Sequence, residues 1–123
     1  MTDITTIGEI LIDLTQTGSS ETGVPLFAAN PGGAPANVAV AAARLGSRTA
    51  CIGKVGQYGF GGYLRATLEE NQVDTAGLRS DGVTTMAIVA VDGSGERSFQ
   101  FRRGAGCQLT PEEVDQGLLQ NTR

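Results

Sequence analysis

Residues 30–46, NPGGAPANVAVAAARLG, followed by residues 52–64, IGKVGQYGFGGYL, say more about the fold than any other part of the chain. Two glycines directly before a run of small, helix-compatible residues put a bare backbone turn at a helix N-terminus, where unpaired amides favour electron-rich oxygens. Pro35 suits the first helical turn and Gly46 the stop, so the stretch predicts a helix over residues 35–45. Its alanines allow a close approach to the sheet it covers. Asn37, in the first turn, offers an amide that both donates and accepts, which suits a pair of adjacent hydroxyls. The same residues are equally compatible with a tight turn carrying a polar cap.

On the N-terminal side, residues 4–14 (ITTIGEILIDL) form an apolar, β-branched run that reads as one buried strand of a largely parallel sheet, ending near Asp13. Residues 15–30 are rich in Thr, Ser and Gly and read as irregular chain or an exposed hairpin outside the main sheet. On the C-terminal side, residues 49–54 (TACIGK) predict a second strand. Phe60, Leu64 and Leu68 at four-residue spacing predict an amphipathic helix over 60–71. The order βαβα favours an α/β fold with right-handed crossovers.

Beyond residue 80 the pattern changes. Residues 84–91 (TTMAIVAV) and 97–103 (RSFQFRR) are strand-like and joined through DGSG, which predicts a β-hairpin with Phe99, Phe101, Arg97 and Arg103 on one face. Thr110, Pro111 and two glutamates then predict a single helix through TPEEVDQGLL. Its Val114, Leu118 and Leu119 have no later element in the sequence to cover them.

Composition narrows the chemistry. The 123 residues suit one domain or part of one, and 40% hydrophobic with 18% charged residues is ordinary for a folded chain. A net charge of -4 without a basic stripe argues against nucleic acid. No apolar run reaches the roughly 20 residues of a membrane span, and no secretory leader pattern opens the chain, so the expected location is cytoplasmic. With 2 cysteines, Cys51 and Cys107, both expected unpaired, and 0 histidines, His-based triads and His-containing metal sites are excluded. No metal ligand set is expected.

The blocks GEILIDL, GGAPANVAVAAARLG, GKVG with a following FG, and DGSGERSFQFRR occur in the order found in PfkB-type (ribokinase-like) carbohydrate kinases. The chain resembles the N-terminal part of that family, and fructokinases in particular, over nearly its whole length. The resemblance implies the N-terminal part of a ribokinase-like, Rossmann-type three-layer α/β fold with a β-hairpin lid. The core would comprise 1–14, 31–80 and 104–123, and the lid about 15–30 and 84–103. It implies that Asp13 accepts hydrogen bonds from sugar hydroxyls, at the kind of strand end where open α/β sheets bind ligands. Gly32, Gly33 and Asn37 match the family's sugar-contacting glycine pair and asparagine. Lys54, the only lysine, matches a lysine near the substrate, though a solvated lysine fits as well. Phe99, Phe101 and Arg103 match the lid face that closes over the sugar, with packing on the sheet or across a dimer as the alternative.

What the resemblance implies for function is transfer of a phosphoryl group from ATP, with Mg²⁺, to a hydroxyl of fructose or a similar monosaccharide. The family's catalytic aspartate and anion hole belong to a later GAGD-type segment, so no catalytic residue and no ATP site is expected in this chain. Alone it is expected to be inactive, and a fragment with an open core is expected to bind neither fructose nor ribose. A non-catalytic sugar-binding module and an inactive truncated product are the alternatives. Two copies could pair through the lid. Two departures stand out: Gln57, Tyr58 and Gly59 replace an acidic residue frequent in the family, and GAGC at 104–107 reads as the loop leaving the lid rather than as GAGD. A Walker A loop fails because Arg48 occupies the place of its first glycine, and the spacing of Gly53, Gly56, Gly59 and Gly61 fails a Rossmann fingerprint.

Overall fold

The computed structural model describes residues 1–123. The apolar run 4–14 does not form one strand. Gly8, at φ +142°, divides it into β1 (Ile4–Ile7) and β2 (Leu11–Ser19), which belong to different sheets. Few L residues adopt that backbone, so the break is written in the glycine. Asp13 consequently lies inside β2 and not at the end of a core strand.

The chain continues through β3 (Pro25–Gly32), α1 (Ala34–Arg44), β4 (Thr49–Val55), α2 (Phe60–Glu70), β5 (Val73–Asp74), β6 (Leu78–Ser80), β7 (Met86–Val91) and β8 (Arg97–Arg102). The core sheet has β4 at its centre, with β1 on one side and the short β5 and β6 on the other, all parallel. The second sheet has the order β3-β2-β7-β8. Its strands cover 11–32 and 86–102, so Asp13 belongs to this sheet. The hairpin turn forms as DGSG predicts: Asp92 Oδ1 accepts from the Ser94 and Glu96 amides, each at 2.9 Å.

Every residue of β4 is buried, as in a central parallel strand covered on both faces, Thr49 and Lys54 included. Ile52, Leu64, Cys51 and Val55 are fully enclosed, and Leu68 nearly so. Each such leucine or isoleucine contributes about 1.5–3 kcal/mol on leaving water. Ile12 of β2 joins this core, with Leu14, Ala29 and Met86 packed against it. One face of the second sheet therefore rests on the core at its base. Residues alternate along a strand, so Asp13 faces the other way.

Each of the four passages between the sheets contains a glycine: Gly8, Gly33, Gly82 and Gly104. Two buried threonines secure the junction. Thr84 Oγ1 accepts from the Gly56 amide at 2.9 Å, and Thr85 Oγ1 from the Gly104 amide at 3.0 Å.

The C-terminal segment differs from the single predicted helix. Pro111–Glu113 makes one 3-10 turn under the Thr110/Glu113 capping box, Val114 turns extended, and α3 (Gln116–Gln120) starts afresh. The break has a local cause: Asp115 caps α3 by accepting from the Leu118 amide at 3.0 Å. Val114, Leu118 and Leu119 are half-buried rather than bare. The tail docks on the N-terminus, where Thr2 forms an isolated parallel bridge with Thr122.

Candidate functional site

The strand register assembles the site. Asp13 of β2 lies opposite Asn30 of β3 and Ala87 of β7, and Ala87 lies opposite Phe101 of β8. Residues directly opposite across a sheet project to the same side. Asn30, Asp13, Ala87 and Phe101 thus form one row on the face turned away from the core. Asp13 and Phe101 stand two strand spacings apart, about 10 Å between backbones. Buried Ala87 floors the gap between them, while Phe101 remains 53% exposed. Phe99 stands on the same face two residues earlier, opposite Val89, and is 64% exposed.

Gly32 forms the wall beside the carboxylate: a Cβ placed there would overlap Asp13 Oδ2. Gly33, at φ +105°, brings the chain against the Glu9 carbonyl so closely that a Cβ would overlap it. The paired glycines are thus needed for two separate close approaches, one to a side chain and one to the backbone. Asp13 itself is half-buried and enters none of the chain's ion pairs. It also takes part in no side-chain hydrogen bond, so its acceptor capacity is unspent within the protein.

Asn37 is placed differently. It is exposed, one turn into α1, and lines a shallow groove of about 310 Å³ with Pro31, Val40, Arg44 and Asn71. Asp13 is not part of that groove, and Pro31 pairs with Ile12, on the core-facing side of the sheet.

Lys54 is neither solvated nor free. Only 7% exposed, it forms an ion pair with Glu113 Oε2 at 2.9 Å, and its Nζ lies 3.5 Å from the Gln108 carbonyl. That ammonium, with donation from Thr110, holds the Glu113 carboxyl below the usual glutamate range. The sequence offers no local hint of this pairing across 59 positions.

Arg103 follows β8 on the Phe101 side, its guanidinium carbon 5.4 Å from the Phe101 ring centroid. The GAGC segment at 104–107 forms a 3-10 turn directly after β8. Two residues were missed. Asn30 is the cross-strand neighbour of Asp13, and Glu9 touches both the glycine turn and the 104–107 loop. The signal for Glu9 was a lone carboxylate beside a glycine in the middle of an apolar run.

No group of three or more carboxylate or thiol side chains is arranged to hold a metal ion. No helix is long and apolar enough to cross a membrane.

Comparison with known proteins adds to this geometry. The family described as "pfkB family carbohydrate kinase" matches residues 1–123. The chain is 45% identical over 122 residues to probable fructokinase-7 of Arabidopsis thaliana, covering 94% of this chain and 36% of that protein. It is 40% identical over 126 residues to a fructokinase of Solanum tuberosum, covering 98% of this chain and 40% of the relative. Among solved structures, fructokinase from Xylella fastidiosa superposes with a TM-score of 0.90 at 37% identity, over 98% of this chain and 38% of that one. A second Xylella fructokinase structure, with bound ATP, gives 0.87 at 35% identity, over 95% of this chain and 38% of that one. A putative ribokinase II from E. coli gives 0.84 at 30% identity, over 99% of this chain and 42% of that one, so the fold is ribokinase-like. The chain thus spans about two fifths or less of the curated relatives cited, and it belongs to the PfkB family of carbohydrate kinases.

Proposed function

We propose that this chain is the sugar-binding portion of an ATP-dependent, fructokinase-like carbohydrate kinase, with Asp13 as the group that holds the substrate's hydroxyls. One observation carries the reading: a half-buried carboxylate, uncommitted within the protein, sits against a glycine wall and faces exposed phenylalanines across a small-residue floor. A carboxylate accepting from two neighbouring hydroxyls gains about 1.5–3 kcal/mol per charge-assisted bond. Phe101 and Phe99 would cover the apolar faces of a sugar ring, and the Gly32-Gly33 backbone would let it approach closely.

In the whole kinase, ATP with Mg²⁺ supplies the phosphoryl group for a monosaccharide hydroxyl. This chain's part is to bind and orient the sugar and, by lid closure, to keep water from the reacting hydroxyl. Lys54 is left out of substrate contact because Glu113 takes its charge, and Asn37 because it lines a groove that does not include Asp13. Exposed β8, with Phe99 on it, also suits pairing of two copies through the lid, which sedimentation analysis would reveal. A sugar-binding module without catalysis is the second reading, favoured because the Asp13 row is complete within this chain.

The test is a pair of assays on the purified chain. Against the expectation that an open fragment binds no sugar, the Asp13 row lies wholly within this chain, so calorimetry should detect weak fructose binding, about millimolar or weaker, corresponding to about 4 kcal/mol or less. Coupled-enzyme assay should detect no fructose-dependent ATP turnover. Absence of any fructose heat would overturn the sugar site, and turnover would overturn the assignment of catalysis to residues beyond this chain.

A further inference from the structure

We infer that Glu9 is a positioning residue of the sugar site: it holds Arg103 against Phe101 by way of the Cys107 thiol. This rests on the reading of the Asp13 row as the sugar site and adds to it a residue that makes no sugar contact.

Glu9 lies in the three-residue passage between β1 and β2, at the junction of the two sheets. Its backbone carbonyl is the surface on which Gly33 rests. Its side chain points to the loop leaving the lid: a Cβ on Gly106 would stand 3.4 Å from Glu9 Cγ. From there a relay of donors runs outward. The Cys107 thiol donates to Glu9 Oε1 at 3.8 Å, and Arg103 Nη1 donates to Cys107 Sγ at 3.9 Å. The Arg103 guanidinium in turn sits over the Phe101 ring, which stands in the Asp13 row.

Each sulfur contact is weak by itself. The chain is nevertheless charge-matched at its ends, anion at Glu9 and cation at Arg103, with a thiol between them that both donates and accepts. One residue thereby links both sides of the site, the glycine turn through its backbone and the aromatic rim through its carboxylate by way of Cys107 and Arg103. Arg103 is otherwise exposed and has no ion-pair partner, so without Glu9 nothing fixes its side chain over the ring.

The experiment uses the whole chain with Glu9→Ala and the shape-conserving Glu9→Gln, each first checked for unchanged melting. Three readouts are taken: the Arg103 Nε–Hε signal by ¹⁵N NMR, Cys107 alkylation by iodoacetamide with buried Cys51 as internal control, and fructose affinity. Glu9→Ala should move the Arg103 signal to its solvent-exposed position, speed Cys107 alkylation at least threefold, and weaken fructose about three- to tenfold. Glu9→Gln, which keeps an acceptor but no charge, should fall between. An unmoved Arg103 signal with unchanged alkylation overturns the proposal, as does a moved signal with unchanged fructose affinity. If the unsubstituted chain shows no fructose response, the parent reading has failed; a moved Arg103 signal still upholds the Glu9 contact, and an unmoved one overturns it.

Discussion

β4 and β8 are the two extremes of this molecule: all seven residues of one are buried and all six of the other exposed. Both are strands with apolar residues, yet Ile52 is enclosed while Phe99 and Phe101 stand in solvent. The core sheet is where folding free energy is gained. The second sheet holds on to it by one face, through Ile12, Leu14 and Met86, and the proposed sugar site uses the other. Large aromatic side chains kept out of the core are informative, because folding alone would bury them.

The sharpest way to break that comparison is to truncate one residue in each sheet. Leu64→Ala, fully buried, should cost about 2–5 kcal/mol in urea unfolding. Phe99→Ala should stay within about 0.5 kcal/mol, as surface changes do. Equal costs would mean that the lid face is part of the core and not a binding surface.

The paired glycines give a finer contrast. Gly33→Ala forces a side chain onto the Glu9 carbonyl at φ +105° and should destabilise by about 1–3 kcal/mol. Gly32→Ala meets only side chains, the end of Asp13, which can turn aside, and Leu11 Cδ1 at 3.2 Å. Its stability loss should be under about 1 kcal/mol, while fructose binding disappears. Melting curves and calorimetry on the two variants would separate scaffold glycine from site glycine.

How far these features were legible depends on whether their cause is local. The helix after Gly33, strand β4 and the DGSG hairpin follow from periodicity and turn chemistry within a few residues. The split at Gly8 was hidden because an apolar run reads alike as one strand or as two joined at a glycine. β5 and β6, two and three residues long, are too short for any period to register. The break at Val114 escaped because the Thr110 capping signal dominated, although Asp115 was a second cap in plain view. Asp13 and Asn37 both stood out from the resemblance, but only register could set Asp13 opposite Ala87 and leave Asn37 on a different groove. The Lys54–Glu113 pair is a tertiary contact that no spacing rule anticipates.

The smallest expected effect concerns the edge of the core sheet. Arg48 bonds to Asp3 and holds its carboxyl down to about 2, with Arg123 adding a weaker attraction. A carboxylate whose folded pKa is depressed contributes stability above its unfolded pKa and loses that contribution as pH falls through the folded value. Wild-type stability should therefore drop between about pH 4 and pH 2 by more than that of Asp3→Asn, as acid unfolding curves would show. Identical acid limbs would mean that the tail and the N-terminus are not held by this pair.

The central claim is that Asp13, on the outward face of the lid sheet, is what the sugar binds. The most direct measurement is a fructose titration of the ¹⁵N-labelled chain followed by NMR, with Asp13→Asn alongside. The account predicts shifts at Asp13, Gly32, Ala87 and Phe101 that are abolished or strongly reduced by the substitution, with the folded spectrum otherwise unchanged. No fructose response in the unsubstituted chain, or the same response in Asp13→Asn, would contradict it.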